Sequence, residues 1–120
     1  MSMNMIQIKR VYEPAEKSDG WRVLVDRLWP RGIKKDAAKV DVWMKEIAPS
    51  DELRKWFGHD AERWPEFQRR YRTDLIQKKQ MLADLKRMEK QYGKLTLLFG
   101  AKDAEHNQAV VLAETLKKQK

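Results

Sequence analysis

The sequence predicts an α/β fold: a single small domain in three layers, with a mostly parallel sheet of about four strands, helices on both faces and one long basic amphipathic helix. Three observations predict it. Short apolar runs alternate along the chain with stretches of helical period. Val23-Leu24-Val25 and Leu95 to Phe99 are apolar without alternation, as strands covered on both faces are. No repeat or linker interrupts the 120 residues, so one domain over 1–120 is expected.

The elements follow in order. Ile6, Ile8 and Val11, with Gln7, Lys9 and Arg10 between them, alternate as a strand that Glu13-Pro14 ends. Pro14 to Gly20 is a loop, and Trp21 to Leu28 a second strand stopped by Pro30 and Gly32. Lys34 to Lys39 makes one helical turn capped by Asp36. Val40, Val42 and Met44 alternate towards Ile47, so Val40 to Ile47 is read as a third strand, with helix as the competing reading. Ser50 caps a helix whose first turn holds Asp51 and Glu52 and which Gly58 ends. From Asp60, the positions Trp64, Phe67, Tyr71, Leu75, Leu82, Leu85 and Met88 recur at spacings of three, four or seven, which predicts one long helix closed by Gly93. Pro65 is tolerated there because it lies near the first turn. Leu95 to Phe99 is the central strand, and Ala104 to Lys117 the last helix, with Val110, Val111, Ala113 and Leu116 at helical intervals.

Composition narrows the function. With 42% hydrophobic residues and five Trp, the chain has material for a core, which excludes a disordered class. The absence of Cys excludes disulfides, thiolate zinc sites, iron–sulfur clusters and a Cys nucleophile. No apolar run approaches the ~18 residues of a membrane span. Met1 to Arg10 lacks the apolar core of a signal peptide, so a cytoplasmic protein without a membrane partner is expected.

In open parallel sheets ligands bind beyond the carboxyl ends of the strands, and three stretches fall there. In Asp26 to Gly32, Arg27 and Arg31 are two planar forks that match carboxylate or phosphate, with Trp29 between them as a flat wall. The competing reading pairs Asp26 with an Arg and gives Trp29 to the core edge. In Trp43 to Ser50, Lys45 and Glu46 face opposite ways on a strand, and Ser50 is a cap rather than a nucleophile. In Leu98 to Asn107, a strand runs through Gly100, Ala101, Lys102 and Asp103 into a helix, leaving backbone N–H groups for an anion beside the Lys102 charge. An ordinary turn with Asp103 as cap is the alternative. Neither G-x-x-x-x-G-K-[ST] nor G-x-G-x-x-G occurs, so no cofactor is expected. The two histidines, His59 and His106, stand in no metal-ligand spacing; His59 reads as a helix-boundary residue and no metal is expected.

The charge of +8 is uneven: Ala61 to Lys94 holds ten Lys or Arg against five Asp or Glu. That face is a potential nucleic-acid footprint through Arg63, Arg69, Arg70, Arg72, Lys78 and Lys79. Glu66/Arg70 and Asp74/Lys78 fall at i, i+4, however, which suits a solvated helix face instead.

Leu24 to Gly32, Trp43 to Ser50, Leu53-Arg54-Lys55-Trp56-Phe57 and Leu95 to Phe99 followed by Ala101-Lys102-Asp103 and Asn107 resemble the YeaO-like family of uncharacterised bacterial and archaeal proteins. The likeness runs from about Ile6 to Leu116, with W-P-R-G and A-P-S as its most specific motifs. It implies that Arg27, Trp29, Pro30, Arg31, Gly32, Lys45, Glu46, Pro49, Ser50, Arg54, Lys102, Asp103 and Asn107 occupy the family's motif positions. Other branches of the wider group, a domain of unknown function, carry a Cys-rich loop ending in Cys-His-Arg where this chain has Gly100 to Ala109, so thiol chemistry does not transfer.

The leading expectation is a pocket for a small anionic ligand, phosphate- or carboxylate-bearing, formed by Arg27, Trp29, Arg31, Lys45, Ser50, Lys102 and Asn107. Glu46 and Asp103 are the acid or base candidates if there is a reaction. The alternatives are the basic helix as a nucleic-acid surface, and a protein-interaction subunit using Trp56, Trp64 or Phe67. The sequence does not set the oligomeric state.

Overall fold

The computed structural model describes residues 5–119. Strands β1 (Met5–Arg10), β2 (Trp21–Leu24), β3 (Val42–Trp43) and β4 (Lys94–Phe99) form one parallel sheet in the order β1-β4-β2-β3. Helices α1 (Lys35–Ala38), α2 (Asp51–Phe57), α3 (Trp64–Ile76), α4 (Lys79–Tyr92) and α5 (Gln108–Lys118) connect or follow them. The chain is an α/β domain, as the alternation of patterns requires.

Side chains alternate across the sheet with period two. Ile6, Val23, Leu95, Leu97 and Phe99 join a core with Leu53, Phe67, Tyr71, Leu85 and Leu112 from α2 to α5. Leu24, Leu98 and Val11 point the other way, onto Ala38 of α1. The three-layer expectation therefore holds in a lopsided form: four helices cover one face, while one helical turn and a buried polar cluster cover the other. In that cluster Asp19 and Arg22, 2% and 4% exposed, pair with each other, and Asp19 also meets Lys9 Nζ at 3.1 Å.

Five expected elements differ. The last helix starts at Gln108 rather than Ala104, since Asn107 caps it. The second strand ends at Leu24, although Val25 N still reaches Leu98 O, because the chain turns away at Asp26. With no β2 backbone left to pair, β3 shrinks to Val42–Trp43, and Lys45–Ile47 coil into a 3-10 turn that drives Ile47 into the core. Asp36 lies inside α1, whose N-cap is Lys34. The expected long helix is two, preceded by a 3-10 turn that Asp60 caps; α3 stops at Ile76 and α4 starts at Lys79. Between them Lys78 adopts φ −114° and bonds Ala48 O at 3.0 Å, so an inward-turned lysine interrupts the helical ladder.

Candidate functional site

The chain leaves β2 towards the α1 face and leaves β4 towards the α5 face, so a crevice opens between their carboxyl ends, where parallel α/β sheets hold ligands. Asp26 and Gly100, just beyond the two strands, close its floor: Gly100 N donates to Asp26 Oδ2 at 2.9 Å, and Gln108 Nε2 donates to Asp26 Oδ1. Burial pushes the Asp26 carboxyl up to about 6, against those two hydrogen bonds and the charge of His59, which favour its ionised form. Among the described residues Asp26 pairs with no arginine. The Gly100 N–H, expected to be free for an anion, is already spent on it.

Above this floor lies a cleft of about 760 Å³, within the range of small-molecule sites. The loops after β1, β2 and β4 line it together with Ala48, Pro49 and the end of α2, so all three stretches reach it, the second through Ala48 and Pro49 alone. Its cations are Arg10, Arg27, Arg31, Arg54, Lys55 and Lys102; its carboxylates are Asp26 and Asp103. Tyr12, Trp29, Phe57 and Phe67 contribute aromatic surface.

The cations divide by what they touch. Arg27 is a clamp: Nε donates to Pro49 O at 3.0 Å and Nη2 to Ala48 O at 3.1 Å, with Glu46 Oε2 3.8 Å from Nη1. Together with Lys78 on Ala48 O and Tyr71 Oη on Ile47 O, it satisfies three successive carbonyls of the Ile47-Ala48-Pro49 segment. Burial, helped by the charge of Arg27, holds the Lys78 amine below its ordinary range. Arg10 is committed similarly, to Ala101 O at 3.0 Å and Gly100 O at 3.4 Å. Arg54 pairs with Asp51, whereas Arg31, Lys102 and Lys55 are exposed and, among the described residues, none of the three side chains has a hydrogen-bond or ion-pair partner.

The remaining expected residues have mixed placements. Trp29 lines the cleft, held by Nε1 donating to Ile33 O at 2.8 Å and by an edge contact with Trp43 at 5.4 Å. Asn107 lines it too, but as the α5 cap: Oδ1 accepts from Ala109 N and Val110 N, and Nδ2 donates to Asp103 O. Asp103 does not cap α5. Its Oδ1 accepts from Glu105 N and His106 N and its Oδ2 meets His106 Nδ1 at 2.7 Å; the His106 ring first, then the Glu105 N–H, hold its carboxyl below the usual range. Lys45, Glu46 and Ser50 do not line the cleft. Lys45 and Glu46 are exposed in a 3-10 turn rather than on opposite strand faces, and Ser50 Oγ accepts from Leu53 N as a cap. Sequence reasoning missed Asp26, His59 and His106 as cleft residues. Their only signal was position: Asp26 at a strand end, and the chain's two histidines at a helix boundary and in a strand-to-helix loop.

The basic helices are largely self-neutralised. Arg69 and Arg70 share Glu66, whose carboxyl they hold at about 2, Arg63 pairs with Asp60 and Arg72 with Glu114. Lys78 points inward to Ala48 O instead of pairing with Asp74, which leaves Lys79 as the one exposed member without a partner among the described residues. Phe67 is buried, Trp64 is half-buried against Phe57, Phe67 and His106, and Arg63 and Arg70 lie over the Trp56 ring.

Among the described residues no group of His, Cys, Asp and Glu is arranged to hold a metal ion, and no helix is long and apolar enough to cross a membrane. No solved structure matches the chain. The chain is 50% identical to the uncharacterized protein YeaO of Escherichia coli (strain K12), across 93% of this chain and 96% of the relative. It is 40% identical to the uncharacterized protein Rv3073c of Mycobacterium tuberculosis (strain ATCC 25618 / H37Rv), across 92% of each. A family model described as the inactive DUF488-N3 subclade matches residues 5–120. With the W-P-R-G loop, the A-P-S segment and the β4 loop gathered around one cleft, the chain belongs to this DUF488-N3i family of YeaO-like proteins.

Proposed function

We propose that the cleft at the carboxyl ends of β2 and β4 binds a small anionic ligand, phosphate- or carboxylate-bearing, without turning it over. One observation carries this reading: Arg31 and Lys102, from two different strand-end loops, line one cleft and have no protein partner among the described residues, whereas the other arginines bond carbonyls or carboxylates. A guanidinium and an ammonium left open beside a low-dielectric floor attract an anion more strongly than solvated surface charges do. The family's description as an inactive subclade favours binding over catalysis. Asp103, the expected acid or base, has both oxygens engaged by its own loop, and Glu46 lies outside the cleft lining, which points the same way.

Isothermal titration calorimetry with inorganic phosphate and pyrophosphate tests it. Binding that weakens about tenfold or more in each of Arg31→Ala and Lys102→Ala, both exposed positions whose loss leaves the fold intact, supports the reading. Equal binding by the double variant and the parent overturns it.

A further inference from the structure

The cleft is far larger than a phosphate ion needs, and its lining is not uniform. Arg31 and Lys102 accompany Trp29 and Tyr12, while the α2 side supplies Phe57 and His59 and the α5 side supplies His106 and Gln108. Three of these carry unspent hydrogen-bonding capacity. Gln108 gives Nε2 to Asp26 and keeps its carbonyl oxygen; His106 engages Asp103 through Nδ1 and keeps Nε2; His59 makes no hydrogen bond through its ring among the described residues. Groups of this kind, both donors and acceptors, read the edge of a heterocycle. The Trp29 indole, pinned at Nε1 and against Trp43 and only half-buried, is a rigid face on which a planar ring stacks at small entropic cost.

We infer that the anion is the phosphate of a nucleoside monophosphate: Arg31 and Lys102 take the phosphate, Trp29 the face of the base, and Gln108, His59 and His106 its edge. This rests on the cleft being an anion site and adds the ring to it. The pattern at the switch point of a parallel sheet, one cation on each of two strand-end loops and an aromatic wall beside them, is the chemistry such a ligand requires. A sugar phosphate or a simple carboxylate would leave the indole face and the edge-reading groups unused.

The test is calorimetric titration of the full chain with inorganic phosphate, ribose 5-phosphate, adenosine 5′-monophosphate and cytidine 5′-monophosphate. A stacked base adds roughly five- to a hundredfold in affinity, so at least one nucleotide is expected to bind that much more tightly than ribose 5-phosphate. Trp29→Leu is expected to erase the difference while leaving ribose 5-phosphate binding unchanged. Should that variant not fold, saturation-transfer NMR on the unaltered protein takes its place, with the strongest transfer expected at the base protons. Equal affinity for ribose 5-phosphate and both nucleotides, or stronger transfer to ribose than to base, overturns the nucleotide assignment and leaves the anion site standing. Failure of every probe, inorganic phosphate included, overturns both.

Discussion

The Asp26 carboxylate, one residue beyond a buried Val25, accepts the Gly100 N–H from the neighbouring strand end at 2.9 Å, tying together the two loops that bound the cleft. The approach leaves no room for a side chain. A Cβ on Gly100 would lie 2.9 Å from Asp26 Oδ2 and 3.5 Å from Pro30 Cβ, so one of the loops would have to move. Gly100→Ala is expected to destabilise the fold by about 1–3 kcal/mol in urea denaturation, as overpacked sites do, and to weaken anion binding with it. Unchanged stability and binding would mean that the loops are not held in register by this contact.

Asp26 also makes anion affinity depend on pH. Its pKa of about 6 leaves a negative charge in the cleft at pH 7.5 that is neutralised by pH 5. Sulfate, which does not titrate in this range, is expected to bind more tightly as pH falls. In Asp26→Asn the amide oxygen takes the Gly100 N–H and a flipped Gln108 accepts from the amide nitrogen, so the site survives without its charge. That variant is expected to bind sulfate about three- to tenfold more tightly than the parent at pH 7.5 and equally at pH 5. Both histidines are present in both proteins and cancel from the comparison. A constant ratio across the range would show that the Asp26 charge does not reach the ligand.

The edge strand β1, the central strand β4 and the caps at Ser50 and Gly58 were legible because local patterns dictate them: period-two alternation, an unbroken apolar run between glycines, and a side-chain oxygen before a helix. Convergence of the three loops was not, because it depends on how the strands are ordered in the sheet. The break at Lys78 was not. Leu75 and Leu82 are seven residues apart, a spacing that fits a continuous helix, and a lysine turned to a carbonyl thirty residues away leaves no periodic trace. The division of labour among cations was hidden for the same reason. Arg27 and Arg31 are equivalent in sequence, but only Arg27 faces the carbonyls of Ala48 and Pro49, and those positions exist only once the β3 to α2 connection has folded.

That division predicts opposite phenotypes four residues apart. Arg27→Ala removes charged donors from two carbonyls in a buried segment and is expected to cost roughly 2–3 kcal/mol in urea denaturation. Arg27→Lys is expected to recover little, since an ammonium cannot reproduce the fork that spans both oxygens. Arg31→Ala is expected to change stability by less than about 0.5 kcal/mol while weakening phosphate binding. The reverse assignment of stability and binding would invert the roles given to the two arginines.

The polar cluster on the lightly covered face makes the stability of the fold depend on pH. Asp19 accepts from Glu16 N at 3.0 Å, from Gln7 Nε2 at 3.2 Å and from Lys9 Nζ, and it neutralises Arg22, whose other donors reach Ala38 O and Lys39 O. Burial alone would raise the Asp19 carboxyl; the Glu16 N–H, Lys9 and Arg22 outweigh it and hold the group below the ordinary range. A depressed folded-state pKa contributes stability that is present above the unfolded value, near 3.9, and is lost as pH falls through the folded one. The Lys9 amine is raised, Asp19 and Glu16 outweighing its desolvation, so its share is lost only as pH climbs past the usual lysine range. The cluster therefore holds at full strength through neutral pH and fails first on the acid side, below about pH 4. Asp19→Asn strands the Arg22 charge in the interior and is expected to cost about 3–5 kcal/mol at pH 7. Its stability is also expected to fall less steeply than the parent's between pH 4 and pH 2, followed by urea midpoints. Parallel acid limbs in the two proteins would remove Asp19 from the groups that set the acid sensitivity of the fold.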